Sequence, residues 1–150
     1  MTNAAQPTLL VIRRMLFGVL AFGMAGTVSE LWLIGHYEDW WQWVPLVMIG
    51  ASATALGWVA WSWTAGAVRV FRVCMLFLML SGAAGSILHY RANMEFQLEM
   101  DPTLGGVALM SKVLHAKAPP ALAPGNMALL GLLGLVGVWR ISDHTISTRS

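Results

Sequence analysis

The side chains that could do chemistry are few and gather at the edges of apolar runs. Three of the four histidines, His36, His89 and His115, accompany six of the seven carboxylates, Glu30, Glu38, Asp39, Glu95, Glu99 and Asp101. Imidazole and carboxylate together suit zinc, copper or iron, and helical bundles build such sites by bringing ligands in from different helices. His36, His89, Glu30 and Glu95 are therefore the candidate ligands for a transition metal. Their spacing matches no specific metal motif: His89 and Glu95 stand six apart, on different faces of one helix, and the sequence holds no His-x-x-His, Glu-x-x-His or cysteine pair. The plainer reading of these groups is interfacial histidines hydrogen-bonded to acids and water. Haem or quinone contact is a third, less favoured because a bis-histidine haem wants its histidines deeper in facing helices.

Glu30 lies about one and a half turns inside the end of its apolar run. An ionised group costs roughly 2.5 kcal/mol or more at the centre of a bilayer and less near its surface. Glu30 is thus expected to face other helices, be protonated or have a partner, with His89, Arg91 and Asn93 nearest by depth. Paired with His89 it is the one acid/base arrangement a membrane enzyme could use. No nucleophile elbow, phosphate-binding glycine loop or Cys-x-x-Cys occurs. The ten methionines are scattered through every apolar run, so they read as packing; only Met94 and Met100 lie near His89, where thioethers could matter to copper(I).

The elements that must position these groups follow from composition. Of 150 residues, 57% are hydrophobic and 11% charged, with a formal net charge of +2, against roughly 45–50% and about 25% in soluble domains. This excludes an ordinary soluble domain, a disordered chain and, with the single Cys74, a disulfide scaffold; the small charge gives no reason to expect nucleic acid. A spanning helix needs about 20 mostly apolar residues. Four segments qualify within one membrane domain covering residues 1–150: Met15–Ile34, Trp43–Ala65, Val70–Leu88 and the short Pro124–Trp139. The predicted fold is all-α, an integral membrane four-helix bundle with a short outer interfacial helix. Arg13, Arg14, Arg69, Arg72, Arg140 and Arg149 then share one side, which the positive-inside rule makes cytoplasmic, and both termini lie there. The first span has a basic start, but no small-residue cleavage site follows it, so it is expected to remain as a helix.

Gly35 to Trp43 is a short outer turn crowded with aromatics. Trp32, Tyr37, Trp40, Trp41 and Trp43 read as an outer interfacial belt, and Trp58, Trp61, Trp63 and Trp139 as an inner one. A cage for a quaternary ammonium at Trp40, Trp41 and Trp43 is the alternative. The outer segment His89–Ala123 divides in two. His89–Met100 should prolong the third span, with Arg91, Glu95 and Glu99 in a stripe. Asp101-Pro102 then resembles a helix start, and Leu104, Val107, Met110, Val113 and Leu114 share a face suited to the membrane surface. Ala118 to Gly125 is expected to be irregular. Small residues mark helix-packing faces: Ala53 with Gly57, Gly82 with Ser86, and the ridge Gly131, Gly134 and Gly137. That ridge and the Trp40, Trp41 and Trp43 cluster are the candidate interface, one ridge being available to a partner.

The stretch His89 to Met100, followed by Lys117-Ala118-Pro119-Pro120-Ala121-Leu122-Ala123-Pro124-Gly125 and the Leu-Gly-rich span, resembles a pattern in small uncharacterised bacterial four-span inner-membrane proteins, in which an Asn/Met-Glu-Phe-x-Leu-Glu-Met segment is followed by a Pro-Ala-Leu-Ala-Pro-Gly turn. The resemblance covers roughly a quarter of the chain. It implies the four-helix fold and a bacterial inner membrane, lends specificity to Glu95, Glu99 and the proline-rich turn, and implies no activity. The expectation is a non-enzymatic accessory or scaffolding subunit, its partners being the bilayer and other membrane subunits or itself; the alternative is a protein binding copper, zinc or iron at its outer face.

Overall fold

The computed structural model describes residues 5–116 and 123–139, and every regular element among them is helical. Helix α1 spans Ala5–Leu33, α2 Trp43–Trp61, α3 Ala65–Met100, α4 Gly106–Leu114 and α5 Ala123–Gly137, with one 3-10 turn over Trp40–Gln42. Three helical stretches, Pro7–Leu33, Trp40–Trp61 and Ala65–Met100, are long and apolar enough to cross a membrane. The fifteen residues of α5 reach only about 22 Å at 1.5 Å per residue.

The element bounds differ from the expected spans for local reasons. Helix α1 starts before Met15 and carries Arg13 and Arg14 within it, because Pro7 sits in its first turn, where a missing N–H is harmless. Helix α2 stops at Trp61 rather than Ala65 because Thr64 caps α3: its backbone is extended and its hydroxyl accepts the Ala67 N–H at 3.2 Å. Helix α3 runs unbroken for 36 residues, so His89–Met100 does prolong the third apolar run. Asp101, expected to start the next helix, ends α3 instead. Its N–H donates to the Gln97 carbonyl at 3.0 Å, and its carboxylate accepts the Thr103 N–H at 3.0 Å and hydroxyl at 2.6 Å. That local turn competes with helix initiation, and α4 begins only at Gly106, which takes a φ of +55°. Pro124 and Gly125 lie in the first turn of α5 rather than in an irregular stretch; Ala118 to Leu122 fall outside the described residues.

Helix α1 packs on α2 and α5, and α3 packs on α2 and α5, so the four contacts close a cycle. Neighbours run antiparallel. Phe17 stacks on Trp63 at 5.8 Å at one end of the α1–α2 pair, while Trp32 and Trp43 meet a common groove toward the other. The core holds Leu20, Ile49, Val59, Phe71, Met75 and Leu78, all fully buried. Trp63 is half-buried against this core, not part of an aromatic belt, whereas Trp58 and Trp61 are exposed.

Helix α5 lies closest to its neighbours, and its glycines explain why. A Cβ on Gly131 would stand 2.6 Å from the Met75 carbonyl oxygen and the Met79 nitrogen. One on Gly82 of α3 would stand 2.5 Å from the Ala128 nitrogen and the Pro124 oxygen. Gly134 meets Met75 and Phe71, and Gly137 meets Phe17. The Gly131, Gly134 and Gly137 ridge is therefore consumed inside the chain, and the expected free ridge on this helix is absent: backbone approach to α3 and α1 requires it.

Candidate functional site

Two polar ends and one lateral groove bear on function. At the first end, α1 closes in a Schellman motif: Gly35 has a φ of +70°, its N–H donates to the Trp32 carbonyl at 3.1 Å, and the His36 N–H donates to the Leu31 carbonyl at 2.9 Å. The motif places His36 just past the helix end. Burial pushes the His36 pKa down, and the nearby His89 imidazole pushes it the same way. Tyr37 packs its ring on Trp32 at 4.8 Å and accepts the Trp43 indole N–H at its carbonyl, 3.0 Å away. The Gln42 side-chain oxygen accepts the N–H groups of Glu38 and Asp39 at 2.7 and 3.3 Å, which fixes the turn carrying Trp40 and Trp41. Those two rings lie 6.0 Å apart and are exposed. The Trp43 indole N–H is committed to the Tyr37 carbonyl, which fixes the ring beside the turn.

The four candidate metal ligands are only partly brought together. His36 is close enough to His89 to feel its charge, but Glu30 is exposed on the outward side of α1, and Thr27 and Leu31 take the inward positions expected of it. Glu95 lies six residues beyond His89 on the same helix, about 9 Å along its axis, and is exposed with Arg91 and Glu99 as a solvated stripe. Among the described residues no group of three or more His, Cys, Asp or Glu side chains could hold a metal ion. An exposed Glu30 is tolerable because it stands one turn from the helix end, within reach of an aqueous boundary.

At the opposite end the sequence signal was read only as topology. Arg13 of α1 donates to the Trp139 carbonyl at 3.2 Å, and Arg72 of α3 donates to the Val138 carbonyl at 3.1 Å. Two guanidinium groups from different helices thus converge on the C-terminal carbonyls of α5, where the helix dipole favours cations. A cleft of about 360 Å³ beside them is lined by Arg72, Leu135, Val138 and Trp139. Farther along, Asn126 donates to the Thr27 hydroxyl at 2.6 Å, and Thr27 donates to the Gly23 carbonyl at 2.9 Å. The position of Asn126, just after Pro124-Gly125 at the head of an apolar run, was the available hint of that link.

Between α1 and α2 a lateral groove of about 860 Å³ opens outward. Ala21, Ala25 and Ser29 form one wall, Gly50, Ala53 and Gly57 the other, and Trp32 and Trp43 stand toward the His36 end. Ala53 and Gly57, expected to pack helices together, line this open face. Comparison with protein-family models, curated proteins and solved structures finds no match to this chain.

Proposed function

We propose that the chain is an integral membrane protein whose four helices α1, α2, α3 and α5 form a bundle, and that it serves as an accessory or scaffolding subunit of a larger membrane complex. The bacterial inner membrane is the setting implied by the resemblance of its Glu95–Met100 segment and proline-rich turn. The arginine end faces the cytoplasm and the His36 end the outside. Support for insertion comes from the outward surface. Phe22, Phe77, Leu80, Leu129 and Leu132 are exposed, and the exposed hydroxyls of Ser29 and Thr54 are returned to carbonyls four residues back, at 2.9 Å each, as lipid demands. Helix α4 exposes Val107, Met110 and Leu114 on one arc, where they suit the headgroup boundary.

The observation that carries the scaffolding role is the α1–α2 groove. Its walls, in which small residues alternate with larger apolar ones such as Met24, Val28, Ile49 and Leu56, run from Phe17 to Trp32 and from Trp43 to Ala60, a length of about 22–26 Å along the helices, most of a bilayer's apolar thickness. Small residues on both walls let the backbone of another helix approach, so the occupant is a transmembrane helix of a partner subunit. Extraction from the native membrane in mild detergent should co-purify partner chains, and Gly57→Leu should release them while leaving the helical content unchanged. A chain that migrates alone from the same membrane refutes the scaffolding role. Insertion and topology are tested separately by cysteines placed at Asp39 and Arg14 in a Cys74→Ala background: an impermeant maleimide added to intact cells should label only the first.

A further inference from the structure

We propose that the last turns of α3, from Leu88 to Met100, dock a helix of a partner protein whose apolar side is edged by lysines or arginines. At 36 residues α3 is about 54 Å long, well past a hydrocarbon core of about 30 Å, so these turns rise beyond it. Their exposed side consists of two rows of residues spaced by four. Leu88, Ala92, Phe96 and Met100 form an apolar row about 18 Å long, and all four are exposed, Met100 at 72%. Arg91, Glu95 and Glu99 form a charged row beside it, exposed as well. Residues four apart make a ridge on a helix surface, and the groove between two ridges accepts a ridge of another helix. A helix seated here meets apolar side chains on one side and Arg91, Glu95 and Glu99 on the other.

The charges select what edges that helix. The charged groups of Arg91, Glu95 and Glu99 have no hydrogen-bond or ion-pair partner among the described residues. The described part of this end carries six carboxylates against Arg91 and Lys112, and the balance stays negative with Lys117 of the following segment counted. The complementary helix therefore presents Lys or Arg to Glu95 and Glu99. A second copy of the chain does not complement this face. Two copies sharing one orientation in the membrane, related by a two-fold along its normal, would bring Glu95 and Glu99 level with their own counterparts, and like charges repel.

The inference rests on the membrane reading and is independent of the α1–α2 groove. Photo-crosslinking of the full chain in its native membrane tests it, with Phe96→p-benzoylphenylalanine and mass spectrometry of the adduct. Trp32→p-benzoylphenylalanine, which lines the groove, reports on that site separately. The expected result is an adduct with another protein, at a segment carrying Lys or Arg four apart beside an apolar row. Glu95→Lys with Glu99→Lys should lower its yield about tenfold, the combined scale of a few surface ion pairs turned from attraction to repulsion. Glu38→Lys, also at this end, should leave it unchanged. All three side chains are exposed, so the variants keep the fold. Several outcomes overturn the proposal: no adduct, an adduct with lipid alone, with a second copy or with residues 117–122 of the chain itself, a partner segment without the basic pattern, or a yield indifferent to the charge reversals. A protein adduct at position 32 beside any of these leaves the scaffolding groove standing, whereas an adduct at 96 with none at 32 counts against the groove and not against this surface.

Discussion

Replacing Gly131 by alanine tests whether α5 is held by backbone contact. The new Cβ would lie 2.6 Å from the Met75 oxygen and the Met79 nitrogen and 2.8 Å from the Met79 Cβ. The first two are 0.8 Å inside the 3.4 Å at which ordinary contact begins. Both belong to the α3 backbone, which cannot rotate away, so the helices must separate. Overpacking of this kind costs about 1–3 kcal/mol, and alanine's better helix propensity returns up to about 1 kcal/mol. A net loss of about 1–2 kcal/mol is expected. Two internal controls sharpen the test. At Gly23 the added Cβ meets only the Leu130 side chain, which can change rotamer, so Gly23→Ala should be nearly neutral. At Gly18 nothing lies within 4 Å, so Gly18→Ala should be neutral or slightly stabilising. Thermal unfolding of the purified protein in detergent, followed by far-ultraviolet circular dichroism, should give midpoints in the order Gly18→Ala, Gly23→Ala, Gly131→Ala, highest first. Gly82→Ala combined with Gly131→Ala should cost less than the sum, because one opened crossing relieves both clashes. A Gly131→Ala midpoint equal to that of the parent, or a Gly18→Ala loss as large, would refute the packing argument.

Removing the Thr27 hydroxyl, which is 1% exposed and accepts from Asn126, should destabilise by about 0.6–1.7 kcal/mol, the range for interhelical hydrogen bonds in lipid; a double-mutant cycle of Thr27→Val with Asn126→Leu should return a coupling of that size. The Ser52 hydroxyl is buried with no partner among the described residues, so Ser52→Ala should be neutral or stabilising by about 1 kcal/mol in the same melts. For His36 the lowered pKa means the unfolded chain takes up its proton first. Stability should therefore be unaffected at neutral pH and fall as the pH drops below the unperturbed 6.5 toward the lower folded value. His36→Asn should flatten that part of the profile. The slope has the same sign for Asp101, whose carboxyl the Thr103 hydrogen bonds pull below its usual range: its contribution is present at neutral pH and fades as the pH falls through the lowered value, so the Thr103 amide should exchange faster in Asp101→Ala at neutral pH.

Long apolar runs were legible in the sequence because each condition for a spanning helix is local: length, lack of charge, lack of a breaker. The continuation of α3 through His89–Met100 was legible for the same reason. The start of α4 was not. Asp101 offers equally good chemistry as an N-cap and as the acceptor in a turn, and the choice went to the Thr103 bonds. Of the outcomes expected for Glu30, facing other helices is not met, because an energetic rule about depth says nothing of azimuth. Thr27 and Leu31 claim the inward side of α1, and their neighbour is carried outward. The position of His36 past the end of α1 depended on a positive φ at Gly35 that sequence hints at without fixing its direction. Arg13 and Arg72 carry a charge signal in the sequence, yet their adjacent acceptors, the Trp139 and Val138 carbonyls just past α5, are placed only once three helices are packed.

Those acceptors bear on how α5 holds its place. At fifteen residues it spans about 22 Å, some 8 Å less than a typical hydrocarbon core of about 30 Å. On the membrane reading proposed above, a helix that short gains little from lipid alone and is kept by its neighbours. Each part of it is tied differently. Near its start, Asn126 bonds to Thr27 of α1. Through its middle, Gly131 and Gly134 bring its backbone against Met75 and Phe71 of α3. At its end, arginines from α1 and α3 hold the Trp139 and Val138 carbonyls. The helix that closes the cycle between α1 and α3 is thus fastened to both along its whole length, while the α1–α2 side is left as an open groove. The ties are concentrated on one side of the molecule and the open groove on the other, the distribution that the proposed scaffolding role calls for.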